Sequence, residues 1–162
     1  MMRTFLLDAG FIIDLLSAGL MAEVWIADCR ICATQPTMAE LKKATRKMFA
    51  IAENSLKIVD EGALEKILKY AESLPPGLSF ADVSVLFCAR KLHADILTSD
   101  RKLADAARGE GLQTYDIRCV IGSMVKNGTL RDADAREKLR ILKERNRMLF
   151  KEAADKDERA RT

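Results

Sequence analysis

The sequence is poor in histidine, in aromatic residues and in long apolar runs. Its 162 residues include one histidine, and aromatic residues make up 6% of the chain. The single histidine, His93, disfavours a nuclease built on a histidine triad, and so few aromatic side chains argue against a platform on which nucleotide bases stack. No apolar run approaches the length of a membrane span, and the start over residues 1–5, soon followed by Asp8, is not that of a signal peptide. We therefore expect a cytoplasmic protein without membrane contact.

The four cysteines do not form the pattern of a structural zinc site. Cys29 and Cys32 make a Cys-x-x-Cys pair, but no second pair accompanies them, and such a site usually needs four ligands. On a strand over residues 30–34, two cysteines at this spacing would project to opposite faces of the sheet. We expect four reduced thiols, most of them buried.

The residues that are present in quantity indicate one folded domain. Apolar residues make up 49% of the sequence and charged residues 31%, which is the balance of a globular chain rather than a disordered one. A length of 162 residues is enough for a sizeable core. The net charge of +3 permits a polyanionic partner without requiring one.

Short apolar runs alternate with helical patterns along the chain. The predicted strands are residues 4–7, 30–34, 56–59, 94–98 and 112–117. Segments with apolar residues at helical spacing separate them, and one further short helix is predicted over residues 20–27. About five alternations of strand and helix predict an α/β fold, a three-layer sandwich in which a mostly parallel sheet carries helices on both faces.

The C-terminal part has a different character from the rest. Residues 131–154 predict one long, densely charged helix whose narrow apolar stripe would pack on the parent domain or on a partner. The stripe consists of Leu139, Leu142 and Leu149. We expect three parts in the chain: a main domain over residues 1–117, a helical extension over residues 118–154 and a frayed charged tail over residues 155–162.

Four carboxylates stand at the ends of predicted strands or at the starts of predicted helices: Asp8, Glu40, Asp82 and Asp100. Each one has a structural explanation as a helix cap or as the acid of a capping box, because helix N-termini favour negative charge. Taken together they are harder to explain in this way. In a parallel sheet the carboxyl ends of the strands share one edge, and ligands bind there.

Several carboxylates at one edge repel one another unless positive charge offsets them. A divalent cation does so, and oxygen ligands without a set of histidines or cysteines suit Mg²⁺ or Mn²⁺. Such an ion activates water and stabilises negative charge on a phosphoryl group. The pattern of acids therefore indicates hydrolysis of phosphodiester bonds.

Three stretches of the sequence resemble the motifs of PIN-domain ribonucleases, especially those of the VapC-type toxins of toxin–antitoxin pairs. The stretches are LLDAGFIIDLL, TQPTMAEL and LSFADVSVLFCARKLHADILTSDRKLADAA, and the similarity covers residues 3–117. Asp8 matches the acid after the first strand, and Glu40 matches the Glu of a T-x-x-E-L segment. Asp82 matches the acid that opens the central helix. Asp100 matches the acid of a T-x-D motif whose threonine is Thr98.

The resemblance implies a metal-dependent endoribonuclease with a parallel sheet between layers of helices. Asp8, Asp82 and Asp100 would hold Mg²⁺ or Mn²⁺ and, together with Glu40, would position the attacking water. The family also implies a homodimer and, for a toxin, an antitoxin protein as partner. The chain departs from the family at Ala9, where many members carry a small hydroxyl residue, and in its length beyond residue 117.

Other residues near these acids are assigned weaker roles. The candidates for substrate binding are Thr98, Arg101 and Lys43, although a solvated helix face accounts equally well for the basic residues. For Asp14 we expect a solvated or helix-capping role in preference to a place in the site, and for Asp105 a surface position in preference to a ligand. His93 precedes a strand and is expected to be structural.

The sequence leaves three other functions open beside that of a toxin nuclease. One is a non-catalytic binding module on the same fold, in which the acids serve only as caps. A second is an RNA-processing nuclease without an antitoxin. A third, a phosphatase with an aspartyl nucleophile, is disfavoured because Gly10 stands where that chemistry usually has a second acid after Asp8.

Overall fold

The computed structural model describes residues 2–20, 29–50, 56–60 and 62–161. Five strands form one sheet: β1 (Arg3–Leu7), β2 (Cys29–Thr34), β3 (Leu56–Val59), β4 (Asp95–Leu97) and β5 (Thr114–Tyr115). Their order is β3-β2-β1-β4-β5, and every neighbouring pair is parallel. The predicted α/β architecture with a parallel sheet is confirmed, and each strand overlaps an apolar run that predicted it.

Helices connect the strands and follow the last one. Within the described ranges they are α1 (Ala9–Ser17), α2 (Gln35–Glu40), α3 (Lys43–Ala50), α4 (Leu64–Ala71), α5 (Phe80–Leu92), α6 (Arg101–Gly109), α7 (Ile117–Lys126) and α8 (Asp132–Arg161). None of these helices is long and apolar enough to cross a membrane. The short helix predicted over residues 20–27 lies outside the described residues, except for its first position.

The order of the strands creates a switch point beside β1. From β1 the chain builds outward through β2 to β3, and it then returns to the opposite side of β1 to add β4 and β5. The connections above the carboxyl ends of β1 and β4 therefore lead away in opposite directions. In open α/β sheets this place forms a crevice in which ligands bind.

The core has two layers, one on each face of the sheet. Leu6 and Leu7 are adjacent on β1 and fully buried, but they belong to different layers because successive side chains of a strand point to opposite faces. Leu7 packs with apolar residues of α1, α7 and α8, whereas Leu6 packs with those of α5 and α6. Helices thus cover both faces of the sheet, as predicted.

The C-terminal helix differs from its prediction in length. It continues to Arg161, so the prediction of a frayed tail over residues 155–162 is wrong for its helical part. The lysine, arginine, glutamate and alanine residues that suggested a solvated tail are also strong helix formers, and this propensity extends the helix. Leu142 is buried against the domain and Leu139 is partly buried beside it, while the side chain of Leu149 lies outside the described part.

The cysteines follow their prediction only in part. Cys32 on β2 and Cys88 on α5 are buried in the core layer between the sheet and α5, as expected. Cys29 is half-buried at the start of β2, and Cys119 is exposed on α7. Two of the four thiols are therefore buried, where most were expected to be, and Cys119 is exposed because α7 turns its other face, with Ile121 and Met124, toward the core.

Candidate active site

Asp8 lies directly after β1 and caps the N-terminus of α1. Its Oδ1 accepts a hydrogen bond of 2.8 Å from the backbone N–H of Phe11, and its Oδ2 accepts one from the hydroxyl group of Thr98. Burial raises the pKa of Asp8 to about 6, the two hydrogen bonds oppose this rise, and the nearby charges of Asp100 and Asp82 add to it. The carboxyl group is therefore held in place at a site where its negative charge is costly.

Asp100 lies beyond the end of β4 and caps α6. Its Oδ1 accepts a hydrogen bond of 3.1 Å from the backbone N–H of Leu103. Its own backbone N–H donates to Oγ1 of Thr98 at 3.0 Å. The hydroxyl group of Thr98 is thus bonded to both acids, and it couples the positions of Asp8 and Asp100 on the neighbouring strands β1 and β4.

Asp82 lies in the first turn of α5, where it forms the predicted capping box with Ser79. The backbone N–H of Asp82 donates to Oγ of Ser79 at 3.1 Å, and the backbone N–H of Ser79 donates to Oδ2 of Asp82 at 3.0 Å. This reciprocal pair fixes the carboxyl group at the helix end.

Glu40 is the last residue of the short helix α2, and a buried hydroxyl cluster fixes that helix. Oγ1 of Thr34 accepts a hydrogen bond of 3.2 Å from the backbone N–H of Thr37, and it lies 2.7 Å from Oγ of Ser84 on α5. The cluster joins α2 to α5, the helix that carries Asp82. Burial raises the pKa of Glu40, the charge of Asp82 raises it further, and a hydrogen bond with the side chain of Ser79 lowers it.

All four predicted acids line one cavity of about 290 Å³ at the carboxyl ends of β1 and β4. The residues that line it are Asp8, Ala9, Gly10, Phe11, Asp14, Glu40, Asp82, Ser99, Asp100, Arg145 and Asn146. Residues from five separate parts of the sequence therefore meet at the switch point of the sheet.

The cavity has one wall that the sequence did not predict, contributed by α8. Nη1 of Arg145 lies 2.8 Å from Oδ1 of Asp14, whose side chain is only 11% exposed. The expectation that Asp14 is solvated was therefore wrong. Burial raises the pKa of Asp14, and the charge of Arg145 together with its hydrogen bond lowers it. A signal was present in the sequence, because Asp14 stands among the apolar residues of α1 and a buried acid needs a partner.

The sequence of α8 does not show which residue pairs with Asp14. The helix contains many basic residues, and the one that reaches Asp14 is determined by which face of the helix packs on the domain. Lys138, Leu142 and Arg145 follow one another at helical spacing, and Nζ of Lys138 donates to the backbone oxygen of Ala18 at 2.7 Å. The face that packs on the domain therefore also presents Arg145.

None of the three residues predicted to bind substrate lines the cavity. Thr98 is 2% exposed and its hydroxyl group is engaged with Asp8, so its geometry is that of a support for the acid. Arg101 and Lys43 are exposed on the surface near the starts of α6 and α3. His93 caps the end of α5 with φ of 50°, and Asp105 is exposed and paired with Arg108, as expected for both.

The acids fit a hard divalent ion by their chemistry. Within the described residues, no three carboxylate, histidine or cysteine side chains form a group close enough to hold an ion by themselves. Mg²⁺ does not need such a group, because it usually keeps several waters and is bound through one or two carboxylates. A cation would also offset the repulsion and burial that raise the pKa of Asp8.

No family model and no curated protein matches the sequence. Solved structures match it in fold. The protein PAE2754 from Pyrobaculum aerophilum has a TM-score of 0.58 at 18% identity, covering 76% of this chain and 96% of that one. The PIN domain endonuclease Utp24 has a TM-score of 0.52 at 17% identity, covering 70% and 84%. VapBC2 from Rickettsia felis, solved with a DNA fragment from its promoter, has a TM-score of 0.51 at 16% identity, covering 70% and 98%.

Proposed function

We propose, from the premise that this chain has the fold of the PIN-domain proteins, that it is a metal-dependent endoribonuclease. The observation that carries the proposal is the meeting of Asp8, Glu40, Asp82 and Asp100 in one cavity at the switch point of the sheet. The structure of Utp24 is described as that of an endonuclease, which supports nucleic-acid cleavage as the activity of this fold.

Asp8, Asp82 and Asp100 are the residues that would hold Mg²⁺ or Mn²⁺, one or two of them directly and the rest through coordinated waters. When bound, such an ion lowers the pKa of a coordinated water and stabilises negative charge on the phosphoryl group. The chain's own residues have three tasks around it. Thr98 orients Oδ2 of Asp8, the starts of α1 and α6 offset part of the negative charge, and Glu40 accepts a proton from water at the cavity.

The test is cleavage of a labelled single-stranded RNA of mixed sequence in Mg²⁺ or Mn²⁺, with and without chelator. We expect cleavage by the wild type, and its loss on chelation and in Asp100→Asn, since asparagine still caps α6 but supplies no negative charge. Asp105→Asn is the matched control, because Asp105 lies on the same helix, is exposed and is paired with Arg108. Unchanged cleavage in Asp100→Asn would contradict the proposal. Cleavage of a DNA strand of the same sequence, but not of the RNA, would contradict RNA as the substrate.

A second candidate function is a binding module without catalysis. Its supporting observation is that Asp8, Asp82 and Asp100 each accept a hydrogen bond from the backbone at a helix start or take part in a capping box. This alternative expects no specific metal binding. A rise in the melting temperature with Mn²⁺ that disappears in Asp8→Asn would exclude it.

A role as the toxin of a pair is a narrower form of the same proposal. Its support is the likeness in fold to VapBC2, which was solved in complex with promoter DNA. It expects an antitoxin protein encoded by a short reading frame beside the gene for this chain, and a homodimer in light scattering. A monomer with no such reading frame would favour an RNA-processing nuclease.

A further inference from the structure

We propose that Arg145 binds a phosphate group of the RNA substrate at the acidic cavity. This inference rests on the proposed function and names a substrate contact that helix α8 supplies. Among the residues that line the cavity, the acids are Asp8, Asp14, Glu40, Asp82 and Asp100. Arg145 is the one basic residue among the described residues that line it.

The charge of the cavity favours such a residue. A phosphodiester that approaches several carboxylates is repelled, and a positive charge beside them reduces this repulsion. Arg145 places a permanent positive charge at this crevice, since a guanidinium group stays protonated. Lys43 and Arg101, the basic residues predicted from the sequence to bind substrate, do not line the cavity.

The geometry leaves Arg145 able to bind an anion. Its only hydrogen bond to the described residues uses Nη1, which donates to Asp14, so Nε and Nη2 remain as donors. Its side chain is 30% exposed, and the neighbouring Asn146 is exposed beside it. The ion pair with Asp14 holds the guanidinium in one orientation, and a planar guanidinium with two donors available matches two phosphate oxygens.

A purely structural role for Arg145 makes a different prediction. If Arg145 only neutralises the buried Asp14, it becomes dispensable once Asp14 is replaced by asparagine. If it binds phosphate, its loss weakens RNA binding even when Asp14 carries no charge. The two roles are therefore separated by comparing Asp14→Asn with the double variant Asp14→Asn/Arg145→Gln.

The experiment measures RNA binding instead of cleavage. Each variant also carries Asp100→Asn, the buffer contains chelator, and the probe is a short fluorescein-labelled single-stranded RNA followed by anisotropy over a range of salt concentrations. We expect Arg145→Gln to weaken binding about tenfold and to reduce the slope of log K against log salt by roughly 0.7, the value for one phosphate contact on a single strand. The same loss is expected in the Asp14→Asn background.

The matched control is Arg147→Gln. Arg147 carries the same charge on the same helix, is 77% exposed and is paired with Glu144, and it lies roughly 200° around the helix axis from Arg145. We expect its substitution to leave the affinity and the salt slope within about twofold of the parent. This control separates a contact made by Arg145 from the general effect of removing one positive charge.

The outcomes distinguish this inference from the function on which it rests. The phosphate contact is overturned if Arg145→Gln and Arg147→Gln bind RNA with equal affinity. It is also overturned if Asp14→Asn and Asp14→Asn/Arg145→Gln bind RNA equally. Both results hold even if the wild type cleaves RNA. Failure of every variant to bind the RNA also overturns it. If RNA binding depends on Arg145 but the wild type cleaves no RNA, the phosphate contact is supported and the proposed nuclease function is contradicted.

Discussion

The hydroxyl group of Thr98 donates a hydrogen bond to Oδ2 of Asp8, although 90 residues separate the two in the sequence. Oγ1 of Thr98 also accepts a hydrogen bond of 3.0 Å from the backbone N–H of Asp100. The buried side chain of Thr98 therefore orients the carboxyl group of Asp8 and lowers a pKa that burial raises.

Replacing Thr98 with valine removes this hydrogen bond but keeps the shape of the side chain. Because the bond lowers the pKa of Asp8, the pKa in Thr98→Val should rise above its value of about 6. We expect the acid limb of the pH–rate profile to move to higher pH and the protein to lose about 1–3 kcal/mol of stability. Thr98→Ser, which keeps the hydroxyl group, should restore the profile, and an identical profile in Thr98→Val would contradict the role of this bond.

The acid limb of cleavage should depend on metal concentration. Protonation of Asp8, whose pKa is raised to about 6, removes the charge that a cation needs. Protons and Mn²⁺ therefore compete for the carboxylate, and more Mn²⁺ should shift the limb to lower pH. The measurement is the rate of RNA cleavage against pH at several Mn²⁺ concentrations. A limb that stays at one pH throughout would exclude Asp8 as a ligand.

Asp8→Asn should inactivate the protein and stabilise it. The pKa of Asp8 is raised from 3.8 to about 6, so between these values the folded chain binds more protons than the unfolded chain. The free energy of unfolding therefore falls as the pH rises through this range, and the loss is complete above it. Asparagine carries no such penalty and accepts the same hydrogen bond from Phe11.

The gain in stability should be on the order of 3 kcal/mol near neutral pH, since the pKa rises from 3.8 to about 6 and each pKa unit corresponds to about 1.4 kcal/mol. Thermal melts in chelator at pH 7 and near pH 4 measure it, and the difference between the variant and the wild type should disappear at the lower pH. Asp105→Asn is the control, because that exposed acid should change stability by less than about 0.5 kcal/mol at either pH. A variant that is less stable than the wild type at neutral pH would argue against a buried, strained Asp8.

The hydroxyl cluster under α2 should affect activity at a distance. Thr34→Val leaves the backbone N–H of Thr37 without its acceptor and removes the contact with Ser84. We expect a loss of about 1–3 kcal/mol in stability and reduced cleavage, because Glu40 lies at the end of the helix that this cluster anchors. Thr34→Ser should behave as the wild type. If Thr34→Val is less stable but fully active, the contribution of Glu40 to cleavage does not depend on the hydroxyl cluster.

The fold and the acids could be predicted because their signals are local. Each strand is a short apolar run, and Asp82 carries a capping-box pattern with Ser79 that requires only neighbouring residues. Asp8 and Asp100 were assigned to one edge of the sheet because parallel strands align their carboxyl ends. Local pattern and topology together were sufficient to place these acids near one another.

The remainder of the site depends on contacts between distant residues. The pair of Asp14 and Arg145 spans 131 positions, and α8 contains many basic residues of similar appearance. The hydrogen bond from Thr98 to Asp8 requires β1 and β4 to be neighbours in the sheet, and no local sequence pattern predicts that pairing. Sequence reasoning therefore chose exposed cations on nearby helices for substrate binding and missed the one that packing places at the cavity.

The double use of the acids has an evolutionary consequence. Asp8, Asp82 and Asp100 accept hydrogen bonds that hold the starts of three helices, and asparagine can accept the same bonds. Selection for folding alone therefore retains a capping side chain at these positions but not its negative charge. A descendant that no longer cuts nucleic acid would carry asparagine there as readily as aspartate. Among homologues of this chain, aspartate at all three positions should therefore mark the proteins that still bind a metal ion.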